Sequence, residues 1–157
     1  MFREMEVIAP RASEEPIEII SVTWGERKIR PSHGRHVTGR FPLGGGRGSV
    51  PYESGGERDT YQWATSFPWL QDVIAQPVTI RGYIGQRFSV YTPDAILQYR
   101  RVPPKLAAEG FGTRTIIEVK PLELCGDPEA NGKLQMASIA LQLPARFVTY
   151  KESALVR

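Results

Sequence analysis

Cysteine is nearly missing from this chain: Cys125 stands alone among 157 residues. Without a second thiol no internal disulfide can form, which points to a reducing, cytoplasmic setting and leaves Cys125 as a small residue near a turn. Histidine is almost as scarce. His33 and His36 sit among arginines and far from the cysteine, so ligand count and local positive charge both argue against zinc. They read as phosphate or solvent contacts. No apolar run approaches the ~20 residues that span a bilayer, and residues 1–16 hold no apolar core of signal-peptide length. No membrane association is expected. A phosphate-cradling loop is absent too. Residues 43–49 are glycine-rich, but no Gly-Lys-Ser/Thr follows them, and they read as a flexible linker.

What is present fits one ordinary domain that buries a core without staples. With 41% hydrophobic and 24% charged residues, the composition is that of a globular rather than a disordered chain. A formal charge of +3 permits nucleic-acid binding without showing it. The distribution is more telling. Arg27, Lys28, Arg30, Arg35, Arg40 and Arg47 are opposed only by Glu26, while acids gather at Glu4, Glu6, Glu14, Glu15 and Glu18. A basic arm of this kind suits phosphate contacts, and a solvated tail explains it equally well.

Three zones follow one another. Residues 1–50 show little periodicity beyond one short strand through Ile17, Ile19, Ile20 and Val22, and they read as an irregular basic N-terminal arm. Residues 51–157 form the domain proper. Ser54 with Glu57 three residues on has capping-box spacing, and a helix through Tyr61 and Ala64 runs to a stop at Phe67-Pro68. Residues 69–73 read as a short turn. Val78, Ile80 and Tyr83 begin a strand, Gly85-Gln86 makes a hairpin turn, and Phe88, Val90 and Tyr91 return toward Pro93-Asp94. An irregular stretch follows, and its residues 98–113 read as a mobile insertion in preference to a DNA-facing loop. Thr115-Ile116-Ile117-Glu118-Val119-Lys120 is a β-branched strand stopped by Pro121. A turn, a helix over residues 133–142 and a last strand over 146–150 complete an α/β pattern.

Four residues carry chemistry in this order. Asp94 closes one strand. Glu118 and Lys120, two apart on the next, share a face. Glu57 lies on a helix able to pack over the same sheet. Three carboxylates and an ammonium would thus meet at one sheet edge. Hard oxygen donors suit Mg²⁺, with Mn²⁺ an acceptable substitute; Mg²⁺ keeps several waters and also binds phosphate. A bound cation lowers the pKa of water and polarises a phosphoryl oxygen. Asp94 and Glu118, with the Val119 carbonyl, are the expected ligands. Glu57 would complete the site or hold a second metal. Lys120 would position the attacking water and stabilise developing negative charge. A solvated strand with an i, i+2 Glu–Lys pair accounts for the bare motif too, but Ile116, Ile117 and Val119 mark a buried strand, in which two charges need a reason.

Ordered strings around these residues carry a resemblance. Tyr52-Glu53-Ser54-Gly55-Gly56-Glu57-Arg58-Asp59 resembles the Glu-Ser-x-x-Glu-Arg-Asp helix start of TnsA-type endonucleases, the nuclease subunits of Tn-seven-like heteromeric transposases. Pro68-Trp69-Leu70 with Val73, the pair Gln76-Pro77, Tyr91-Thr92-Pro93-Asp94 and Ile117-Glu118-Val119-Lys120-Pro121 follow in the family's order. Upstream, Lys28-Ile29-Arg30-Pro31-Ser32 and Val37-Thr38-Gly39-Arg40-Phe41-Pro42 are similar to its basic N-terminal segment. The resemblance covers residues 28–150.

It implies a restriction-endonuclease-like PD-(D/E)xK core, a mixed central sheet flanked by helices. It implies Mg²⁺-dependent cutting of the non-transferred strand at the 5′ ends of a transposon, in double-stranded DNA, beside a TnsB-type DDE transposase that cuts and joins the 3′ ends. The family's catalytic acids and lysine fall on Glu57, Asp94 and Lys120, and the position two before the lysine is Glu118. DNA contacts are expected at Lys28, Arg30, Arg35, Arg40, Arg47, Gln76, Arg100 and Arg101. Gln76 would otherwise satisfy buried backbone groups. Trp24, Trp63 and Trp69 read as core or interface residues, with base stacking as the lesser alternative. Gly55-Gly56 departs from the family's bulkier pair and is expected to loosen the helix start. The winged-helix domain by which longer members contact a TnsC-type AAA+ regulator is not expected in this chain, so that contact would come from elsewhere. A bacterial cytoplasmic, nucleoid-associated setting follows. Two other readings stay open: another PD-(D/E)xK nuclease acting in defence, repair or junction resolution, and a non-catalytic DNA-binding assembly subunit.

Overall fold

The strand richest in β-branched residues lies at the centre. In the computed structural model, which describes residues 4–25 and 38–150, Thr115, Ile116 and Ile117 are buried in succession. That is the signature of a strand covered on both faces. In chain order the strands are β1 Met5–Ile8, β2 Ile17–Trp24, β3 Gly39–Pro42, β4 Ser49–Tyr52, β5 Leu70–Ala75, β6 Val78–Ile84, β7 Arg87–Tyr91, β8 Ala95–Tyr99, β9 Arg114–Pro121 and β10 Ala145–Tyr150. The helices are α1 Gly55–Thr65, α2 Pro104–Ala108 and α3 Pro128–Leu141.

A five-stranded sheet runs in the order β1-β10-β9-β8-β5. It is mixed: β9 and β10 are parallel, and the remaining pairs are antiparallel. Parallel neighbours need a long crossover, which α3 supplies. Alternation then sorts the core. Ala95, Leu97, Ile117 and Val148 pack with Tyr61 and Ala64 of α1. Ile96, Ile116, Ala145 and Phe147 pack with Leu134 and Ala137 of α3 and with a second sheet ordered β2-β6-β7. An α/β fold with a mixed central sheet between helices is therefore in place.

Several elements depart from the sequence reading. The described part of the first fifty residues is no irregular arm. β1 pairs with β10 along the edge of the central sheet, β2 pairs with β6, and β3 with β4 forms a hairpin. β1, β3 and β4 are four residues long, too short to show a period, and β1 and β2 find their partners far along the chain. Residues 43–48 form the β3–β4 turn rather than a linker and Ser49 opens β4, with Leu43 buried beneath the turn. Residues 70–73 belong to β5 instead of a turn, with Trp69 left-handed at φ 73° before the strand. The stretch after Asp94 holds the buried strand β8. The insertion beyond it is built, with Leu106 of α2 and Phe111 both in the core. α3 starts five residues before its expected position, because Asp127 caps it through Ala130 N at 3.0 Å and Pro128 supplies its first residue. Lys28, Arg30, Arg35, His33 and His36 lie outside the described residues.

Candidate active site

The site lies where the chain passes between the two sheets. β7 of the second sheet ends at Tyr91 and β8 of the central sheet begins at Ala95, so Thr92-Pro93-Asp94 is one crossing. β5 and β6 are joined the same way through Gln76-Pro77. The backbone N–H of Gln76, held left-handed at φ 45°, donates to the Asp94 carbonyl at 2.9 Å and stitches the crossings together. Asp94 thus precedes a strand of the central sheet, where the sequence reading had it close the hairpin.

The β8–β9 ladder ends at the pair Ala95 and Ile117. One residue on, side chains replace the backbone partners. Asp94 N–H donates to Oε1 of Glu118 at 3.3 Å, and Val119 N–H donates to Oδ2 of Asp94 at 2.7 Å. Each carboxylate is held by the main chain of the strand opposite. The Val119 N–H thus lies beside the Asp94 carboxylate. Tyr91 donates its phenol to Oε1 of Glu118 at 2.6 Å, and Lys120 Nζ stands 3.8 Å from Oε2. A cleft over Glu118 and Lys120 is also lined by Tyr91, Thr92 and Lys133 of α3.

Burial and like charge dominate the electrostatics. Burial holds the Asp94 carboxyl well above the usual carboxylate range. The charges of Glu118 and then Glu57 push it further, against the Val119 N–H and Lys120. Burial also raises Glu118, opposed by the Tyr91 hydrogen bond, Lys120, the Asp94 N–H and Lys133. Two adjacent half-buried carboxylates that resist ionising together are an arrangement a cation relieves.

Glu57 enters from α1. The Ser54 hydroxyl accepts from Glu57 N at 3.1 Å, and Glu57 Oε1 accepts from Glu53 N at 2.9 Å. This is a reciprocal cap displaced by one residue from the usual box. Glu57 is buried and its charge reaches Asp94. Gly56 also has a packing reason. A Cβ there would stand 2.7 Å from the Tyr150 ring, so the glycine lets β10 and α1 approach.

The other residues singled out from sequence take mixed places. Arg47 donates to the carbonyls of Gly44, Leu70 and Leu43, which fixes the glycine turn. Arg40 donates to Oγ and the carbonyl of Ser49 across its hairpin. Arg100 and Arg101 follow β8 at its far end, about 20 Å or more along the chain from Asp94, and Arg101 stacks on Trp69 at 4.8 Å. Trp63 packs edge-on against Phe67 and Phe111, whereas Trp24 is exposed. Cys125 is buried, and burial pushes its thiol up. Sequence reasoning missed Tyr91 as the partner of Glu118. Its signal was a strand-end tyrosine three residues before Asp94, but only the fold brings β7 beside β9.

Among the described residues, no three His, Cys, Asp or Glu side chains are grouped closely enough to hold a metal ion. The donors come as a pair, Asp94 and Glu118. That pair fits Mg²⁺, which takes one or two carboxylates and completes its shell with water and phosphate. No described helix is long and apolar enough to cross a membrane. No protein family, curated protein or solved structure matches the chain.

Proposed function

We propose that this chain is a Mg²⁺-dependent DNA endonuclease of the PD-(D/E)xK kind that cuts the non-transferred strand at transposon ends beside a DDE transposase. The observation that carries the chemistry is the reciprocal clasp of Asp94 and Glu118, with Lys120 on the same strand face. The order of motifs from Glu57 to Lys120 carries the choice of substrate.

Asp94 and Glu118 would hold the cation, and the main-chain bonds on each fix their spacing before any ligand arrives. When bound, the cation supplies a water of lowered pKa and neutralises phosphate charge. Tyr91 orients Glu118 and favours its ionised form against burial. Lys120 presents its ammonium at the mouth of the site, where it orients the attacking water and faces the negative charge that develops on phosphate. Affinity for DNA would come from backbone phosphate contacts, and end recognition from the transposase.

The test is Mg²⁺-dependent nicking of the 5′ strand by the purified chain with its transposase partner. Nicking that survives both Asp94→Ala and Lys120→Ala would overturn the catalytic assignment and leave an assembly subunit. Cleavage of branched or plain duplex DNA without any partner would keep the chemistry and replace the substrate.

A further inference from the structure

α1 carries a second group toward the carboxylates. Tyr61 lies one turn beyond Glu57, on the same face of the helix. It is 0% exposed, and among the described residues its hydroxyl has no hydrogen-bond partner. A buried hydroxyl without a partner is unfavourable, and phenylalanine would fill the same space without it. The phenol belongs to the buried cluster that contains Ala95 and Ile117, the neighbours of Asp94 and Glu118, with Val119 packed against it. The charges of Glu57, Asp94 and Glu53 all act on it, and with burial they hold it protonated, hence a donor.

We propose that Tyr61 is a positioning residue of the cation site, whose hydroxyl donates to Glu57 or Asp94 when Asp94 and Glu118 hold a divalent cation. This rests on reading the Asp94–Glu118 cluster as a cation site. The groups around it favour a donor: the nearby charges are carboxylates, and every one of them accepts hydrogen bonds. A phenol in this place fixes a carboxylate oxygen that the main chain does not reach, which is how outer groups tune metal affinity.

The experiment titrates Mn²⁺ into the full chain without DNA, reading free Mn²⁺ by electron paramagnetic resonance, with melting followed in EDTA. Tyr61→Phe is expected to melt at or above the wild type in EDTA and to bind Mn²⁺ about tenfold more weakly. Asp94→Ala is expected to abolish binding. If Tyr61→Phe binds Mn²⁺ like the wild type while Asp94→Ala does not bind, the cation site stands and the role of Tyr61 is overturned. A Tyr61→Phe chain that loses melting temperature and affinity together assigns Tyr61 to packing and overturns it as well. If the wild type binds no Mn²⁺, the reading of the cluster falls and this inference falls with it.

Discussion

The phenol of Tyr91, the last residue of the second sheet's β7, donates to Oε1 of Glu118 in the central sheet at 2.6 Å. A hydrogen bond to an ionised acceptor is stronger than a neutral one and holds the charged form. Tyr91→Phe is therefore expected to raise the Glu118 carboxyl further. The acid limb of the pH–rate profile moves to higher pH, because Glu118 must be ionised to take the cation. Maximal nicking falls about tenfold with DNA affinity unchanged, and stability drops by about 1–2 kcal/mol. A profile that keeps its acid limb would detach Tyr91 from the site.

Asp94 sets a stability expectation with a definite sign. Its folded carboxyl lies above the ordinary value of 3.8, so the folded state binds more protons than the unfolded state across that window. Stability is then greatest below the ordinary value and declines as pH rises through the window. At neutral pH without cation, Asp94→Asn removes the buried like charge and keeps an oxygen to accept from Val119 N–H. The variant is expected to melt higher than the wild type in EDTA, by about 2–4 °C for each kcal/mol relieved in a chain of this size. Mg²⁺ should raise the wild-type melting temperature and leave the variant unmoved. A lower melting temperature for Asp94→Asn in EDTA would contradict the charge argument.

How far this was legible in the sequence follows from what each element depends on. α1 was readable because Ser54 and Glu57 are local partners, and β9 because Ile116 and Ile117 announce burial. β8 is hidden although Ala95, Ile96 and Leu97 are apolar, because Asp94 reads as the end of the hairpin strand and Gln98 breaks the run. β1 was illegible because its four residues are strand only through pairing with β10, at the other end of the chain. Glu118 and Lys120 could be placed on one face by the two-residue period alone. The clasp with Asp94 could not, because it depends on where the β8–β9 ladder stops.

Glu57 serves two masters, and substitution separates them. Glutamine in its place still accepts from Glu53 N–H, so Glu57→Gln is expected to keep the melting temperature. It removes the negative charge that acts on Asp94, and Mg²⁺-dependent nicking is expected to fall. Glu57→Ala loses the cap as well and should cost about 1 kcal/mol more. Full nicking by Glu57→Gln would assign this residue to helix capping alone.

Arg47 offers a contrast between structural and DNA-binding use of the same charge. Its guanidinium bridges three carbonyls, two in its own turn and that of Leu70 at the start of β5. A planar fork makes such contacts and a lysine ammonium does not reproduce them. Arg47→Lys is therefore expected to destabilise the β3–β4 turn by about 1 kcal/mol although the charge is retained. A phosphate contact behaves oppositely: lysine would largely replace it, and Arg47→Ala would lower the salt slope of DNA binding by about one. Measured together, melting temperatures and salt slopes decide the case. Loss of stability in both variants with an unchanged slope places Arg47 in the fold, and a reduced slope for Arg47→Ala with an unchanged melting temperature places it on DNA.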